Sequence, residues 1–253
     1  MARSPRVRAE QGFYHVVLRG SGRQIIFECD GDRRLFLLLA RECLGDAGIN
    51  VLAWCLMSNH VHLLLEDSAD ELSHAMHRLA GRYAAHFNRL TGHVGHVFDG
   101  RFKSVPVTSD RQLLQVVRYI HDNPARAGIC RAEEYPWSSY AEYAGGATIL
   151  ARTGTVLDML GGPEGFVDFS AGADYLGYVE RLGARVSDDE ALAVARETLG
   201  DVEPSALKAM GRAERDRLLQ LMRDAGLTIR QVERLTGIGR STISHATHRR
   251  RDA

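Results

Sequence analysis

The run Trp54-Cys55-Leu56-Met57-Ser58-Asn59-His60-Val61-His62-Leu63-Leu64-Leu65 decides how this chain folds. It reads as two apolar strand segments joined at Ser58-Asn59, the second opening with two histidines separated by one hydrophobic residue. Side chains alternate faces along a strand, so His60 and His62 project the same way while Val61 enters the opposite layer. Two imidazoles side by side on a rigid sheet are half of a metal site. The third ligand and a use for the metal must come from elsewhere in the chain.

Outward from that hairpin, Tyr14 to Leu18 is a β-rich run broken by Gly20-Ser21-Gly22. Asp32 to Ala47 carries Leu35, Phe36, Leu39 and Cys43 at helical spacing and ends at Gly48. Asp70 to Leu90 is a long amphipathic helix closed by Thr91-Gly92, and Phe98 to Val107 contains a strand-like run. Ser109 or Asp110 caps a helix from Arg111 to about Asn123, where Pro124 is expected to stop it. The order β-α-β-β-α-β-α predicts an α+β domain, a largely antiparallel sheet with helices on its faces, over residues 1–145. Residues 146–186, rich in Gly and small side chains, read as a linker with short helices, and residues 187–253 as an all-helical module.

The 253 residues suffice for one full core and a smaller second unit. The apolar stretches, such as Val51 to Met57, Leu35 to Ala40 and Leu63 to Leu65, are far too short to span a bilayer. The basic N-terminus is followed by no apolar signal core, so a cytoplasmic protein with no membrane partner is expected. Four scattered cysteines without Cys-x-x-Cys spacing argue against a zinc knuckle or a disulfide framework. Net charge is zero but uneven: residues 151–204 hold 4 Lys+Arg against 11 Asp+Glu, and residues 205–253 hold 11 against 5. A basic terminal segment suits nucleic acid, although a solvated helical face would have the same charge.

The helix before Pro124 contains Arg118-Tyr119-Ile120-His121-Asp122-Asn123. Tyr119 and Asn123 are four apart and share a helix face. Asn123 offers a carbonyl oxygen at the negative end of the helix dipole, suited to a divalent cation, with Tyr119 one turn away. A phenol attacks phosphorus poorly unless the phosphate is polarised, which a Lewis-acidic metal does. Tyr83, beside Arg82, is a rival nucleophile, but its spacing with Met76, Leu79 and Phe87 is that of a core residue.

Asn59-His60-Val61-His62 resembles the His-hydrophobic-His motif of the HUH single-strand DNA nucleases. Gly95 to Lys103, Tyr119 to Gly128 and Tyr135 to Tyr140 resemble, in order, blocks of the REP-associated branch of the single-tyrosine transposases. The resemblance covers roughly residues 10–145. It implies that His60, His62 and Asn123 hold Mg²⁺ or Mn²⁺, and that Tyr119 forms a 5′-phosphotyrosine on single-stranded or hairpin DNA. Better-known members outside this branch have Gln at the third-ligand position; Asn is one methylene shorter, so the helix must come closer to the histidines.

Arg78, Arg82, Arg89, Arg101 and Lys103 make residues 72–105 locally basic, a candidate track for phosphates, with Phe98 or Phe102 available for base stacking. Each taken singly fits an arginine in water or a phenylalanine in the core equally well. Near the C-terminus, Leu227 to His245 reads as helix-turn-helix: Thr228 caps the first helix, Gly237 makes the turn, and Arg240-Ser241-Thr242 opens a helix that would meet DNA. Arg249-Arg250-Arg251 would add a backbone contact. The sequence thus points to a metal-dependent DNA transesterase, monomer or homodimer. A nicking relaxase with the same site and a non-catalytic DNA-binding regulator remain as alternatives.

Overall fold

In the computed structural model, the residues described are 9, 11–172, 188, 191–200 and 202–247. Arg249-Arg250-Arg251 lie outside them. The chain divides into two compact units, Met1–Tyr178 and Val179–Ala253.

The first unit runs β1 (Phe13–Arg19), α1 (Asp30–Gly45), β2 (Asn50–Met57), β3 (His60–Glu66), α2 (Leu72–Thr91), β4 (Lys103–Pro106) and α3 (Asp110–Arg126). The strands form one antiparallel sheet in the order β2-β3-β1-β4. This is the expected α+β architecture. Residues of both parities are buried in β1 and β3, so the sheet is covered on both faces.

Local chemistry sets the element ends. Asp67 accepts from the backbone of Ala69, Glu71 and Leu72, so α2 starts at Leu72 rather than Asp70. Ser109 caps α3 by accepting from Gln112 N at 3.2 Å. The strand expected across Phe98–Val107 is confined to Lys103–Pro106, and Phe98 only bridges Gly20.

Pro124 does not stop α3. Proline removes only its own N–H from the ladder, and one missing bond is tolerated this close to a helix end. Ala127 N still reaches Asn123 O at 3.0 Å, and the chain leaves the helix at Gly128, where φ is 69°. The extra turn brings Arg126 back over the site.

Tyr135 to Tyr140 lines the outer edge of β2. Leu56 N donates to Trp137 O, Ser139 N to Trp54 O, and the Tyr135 hydroxyl to Leu56 O. A sheet edge that would otherwise offer unpaired backbone groups is closed. His121 ties α3 to this strap through Ser139 Oγ at 2.8 Å, packed among the rings of Tyr140, Tyr143 and Phe166.

The segment expected to be a linker is built into the first unit at its N-terminal end. After α4 (Tyr140–Tyr143), α5 (Gly154–Leu160) and α6 (Pro163–Ala171) put Val156 and Phe166 into the main core. Buried Glu142 joins these pieces: it accepts from Trp54 Nε1 at 2.7 Å and from the backbone of Ile149, Leu150 and Ala151 at 2.8–3.0 Å. Glu142→Ala strands four donors in the interior and should destabilise this unit by roughly 3 kcal/mol or more, read from urea unfolding.

The second unit holds α7 (Ala191–Leu199), a 3₁₀ turn (Pro204–Ala209), α8 (Arg212–Asp224), α9 (Ile229–Thr236) and α10 (Arg240–Thr247) around its own apolar core. Thr228 and Gln231 form a reciprocal cap on α9, and Gly237, at φ 68°, turns the chain toward α10.

Candidate active site

The β1–β3 register determines what lies on the site face. Arg19 pairs with His60, Val17 with His62 and His15 with Leu64. Opposed residues share a face, so His15 joins the two β3 histidines, and Lys103, opposite Val17 on β4, falls on the same side.

The three imidazoles form one cluster. The His60 and His62 rings meet edge to face with centroids 4.9 Å apart. His15 stacks on His62 at 5.2 Å and shares a hydrogen bond with it, Nε2 to Nδ1, at 3.0 Å. Tyr119 of α3 sets its ring edge-on to both His15 and His62, each at 5.7 Å. The Arg126 guanidinium lies 5.0 Å above the Tyr119 ring.

Asn123 is buried one turn after Tyr119, and its Nδ2 donates to Tyr119 O at 2.8 Å. Its side chain also favours a proton on the nearby His60 ring. His60 Nδ1 lies 2.7 Å from Asn59 Oδ1. The four residues singled out in the sequence therefore converge, although β3 and α3 are distant in the chain.

Burial keeps this cluster uncharged. Desolvation pushes His15 down to about 3, and desolvation followed by the nearby Arg19 charge pushes His60 down to about 4. His62 lies well below the usual imidazole range through burial, then His15, His60 and Arg19. Neutral imidazole is the form that binds metals. Among the described residues, no group of three or more His, Cys, Asp or Glu side chains could hold a metal ion. The candidate donor set is instead two imidazole nitrogens and an amide oxygen. A set of three leaves coordination positions for water or phosphate oxygens, as a catalytic cation needs.

The basic candidates separate. Arg78 pairs with Asp46 at 3.0 Å and Arg82 with Glu42 at 2.8 Å, so both are turned to α1. Arg101 and Lys103 are exposed. In the second unit Arg240 is ion-paired to Glu233, while Ser241 and Thr242 are exposed on the first turn of α10.

Three residues of the cluster escaped the sequence reading. His15 and Arg19 sit in the β1 run, where their alternation with Val16 and Leu18 marks a shared face but names no partner. Arg126 was placed beyond a helix assumed to end at Asn123.

The fold is thus an antiparallel sheet that carries a cluster of histidines beside a helix tyrosine. Residues 9–123 match the model of the IS200-like transposase family. The matched segment includes both the paired histidines and the Tyr119–Asn123 helix motif. Among solved structures, one of a REP-associated tyrosine transposase bound to a REP hairpin aligns over 74% of this chain and 99% of that chain, with 14% identity and a TM-score of 0.54. A transposase-related structure from Deinococcus radiodurans aligns over 48% of this chain and 97% of that one, with 20% identity and a TM-score of 0.34. No curated protein matches the sequence. Among the described residues, no helix is long and apolar enough to cross a membrane.

Proposed function

We propose that this protein is a divalent-metal-dependent enzyme that cleaves and rejoins single-stranded DNA, with Tyr119 as nucleophile and His60, His62 and Asn123 as metal ligands. The observation carrying this reading is the meeting of the Tyr119 ring with the paired histidines, while Asn123 bonds to the Tyr119 backbone one turn on. Mg²⁺ or Mn²⁺ bound there supplies the Lewis acidity that polarises the scissile phosphate.

Tyr119 Oη bonds to phosphorus as the P–O3′ bond breaks. The phenol loses its proton and the departing 3′ oxygen gains one, leaving a free 3′-hydroxyl and a 5′-phosphotyrosine. A different 3′-hydroxyl can then attack the same phosphorus and release the phenol, so strands are joined without an external energy source. Arg126 over the Tyr119 ring and Arg19 beside the histidines suit the phosphate charge, and Lys103 and Arg101 suit the strand on either side. A hairpin repeat is the substrate class this reading favours, with Ser241 and Thr242 of α10 as helix-turn-helix contacts to its duplex part. Arg78, Arg82 and Arg240 would have to leave their carboxylate partners to touch DNA, which makes them weaker contacts.

Labelled single-stranded hairpin DNA incubated with Mn²⁺ or Mg²⁺ should give a protein–DNA adduct that survives denaturation. His60→Ala should lower its yield at micromolar Mn²⁺ by about tenfold or more, with partial recovery at millimolar Mn²⁺. Transfer of one nicked strand to a second oligonucleotide separates a transposase from a simple nickase. Tight hairpin binding without any adduct, at any metal concentration, would support the regulator instead.

A further inference from the structure

We infer that His15 is a positioning residue that fixes His62 in the tautomer presenting Nε2 to the metal, and so sets the affinity of the site for its cation. The inference rests on the metal reading above and goes beyond it, because His15 is outside the ligand set.

His15 is fully buried on β1 and contacts both halves of the site. Its Nε2 lies 3.0 Å from His62 Nδ1, its ring stacks on His62 with 22° between planes, and it meets the Tyr119 ring edge-on. Only one proton can occupy the line between the two nitrogens. If His62 donates it, His62 Nε2 keeps a lone pair directed away from His15, as a ligand requires. His15 Nε2 is then the acceptor, and its own proton sits on Nδ1. The opposite assignment would put the His62 proton on Nε2, where it would block coordination. Ligating histidines ordinarily donate their second N–H to a carboxylate or carbonyl, and such partners orient the ring and raise its basicity. Here the acceptor is a neutral imidazole, which brings no negative charge toward a cation that must also attract phosphate. A carboxylate in its place would strengthen metal binding and repel the DNA backbone.

His15→Phe keeps a flat ring against His62 and Tyr119 but removes the acceptor. His15→Gln restores an acceptor near the Nε2 position. Mn²⁺ affinity of the full chain without DNA, read from the electron paramagnetic resonance signal of free Mn²⁺, should weaken about 10- to 100-fold in His15→Phe. It should recover to within about threefold of wild type in His15→Gln. A merely space-filling role would rank the two variants the other way. If His15→Phe does not unfold cooperatively, His15→Met, near in size to Gln but without its carbonyl, takes its place in the comparison. Wild-type affinity in the acceptor-less variant, or equal weakening in both, overturns the inference while leaving the metal site intact. Mn²⁺ binding that survives His62→Ala overturns the ligand assignment itself, and this inference with it.

Discussion

Tyr119→Phe should abolish the covalent DNA adduct, by at least about a thousandfold, while hairpin binding and Mn²⁺ affinity stay near wild type. The substitution removes one oxygen and little else. The ring keeps its edge contacts with His15 and His62 and remains under Arg126, and the Asn123 bond goes to the Tyr119 backbone, which is unchanged. Loss of the adduct therefore reports loss of the nucleophile rather than collapse of the site. Tyr83→Phe is the matching control. Tyr83 is buried against Phe27 and Phe36, its hydroxyl donates to Ile26 O, and burial pushes its phenol well up, away from reactivity. That variant should lose about 1 kcal/mol of stability and keep the adduct. An adduct that persists in Tyr119→Phe and disappears in Tyr83→Phe would reverse the assignment.

The second large effect is acid lability. His15 and His121 are fully buried, and desolvation lowers each to about 3, while His60 lies at about 4. In the unfolded chain each would titrate near 6.5. Below that pH the unfolded state takes up protons that the folded state refuses, so stability is complete above about 6.5 and declines as pH falls toward 3–4. Between pH 6.5 and pH 5, each such group costs up to about 2 kcal/mol. Urea unfolding midpoints at pH 7 and pH 5 measure the drop. His121→Gln should flatten the dependence by one group's share, since His121 lies in the α3–strap packing with Ser139 and Phe166. Equal midpoints at the two pH values would show that these rings are not held neutral.

The mixed fates of the basic residues follow from what surrounds them. Arg78 and Arg82 belong to the basic run expected to track phosphates, yet α1 packs alongside, and Glu42 on it and Asp46 just after it take both guanidinium groups. Lys103 was no stronger a candidate by charge, but the β1–β4 register puts it on the histidine face. Arg126 gained its place because the α3 ladder tolerates the proline that local rules take as a stop.

Short-range periodicity was legible in the chain, although the ends of α2, β4 and α3 were not. Alternation along β3 aligned His60 with His62, and the four-residue helical repeat aligned Tyr119 with Asn123. The Thr228 cap and the Gly237 turn were equally readable, because their hydrogen-bond partners lie within four residues. Tertiary structure alone decided which distant elements lie side by side. His15 reaches His62 across 47 positions only because β1 slots between β3 and β4 in one register, and a one-residue slip would turn it to the other face. Backbone alternation is encoded within a few residues; strand register and charge neutralisation depend on long-range packing, which no local spacing records.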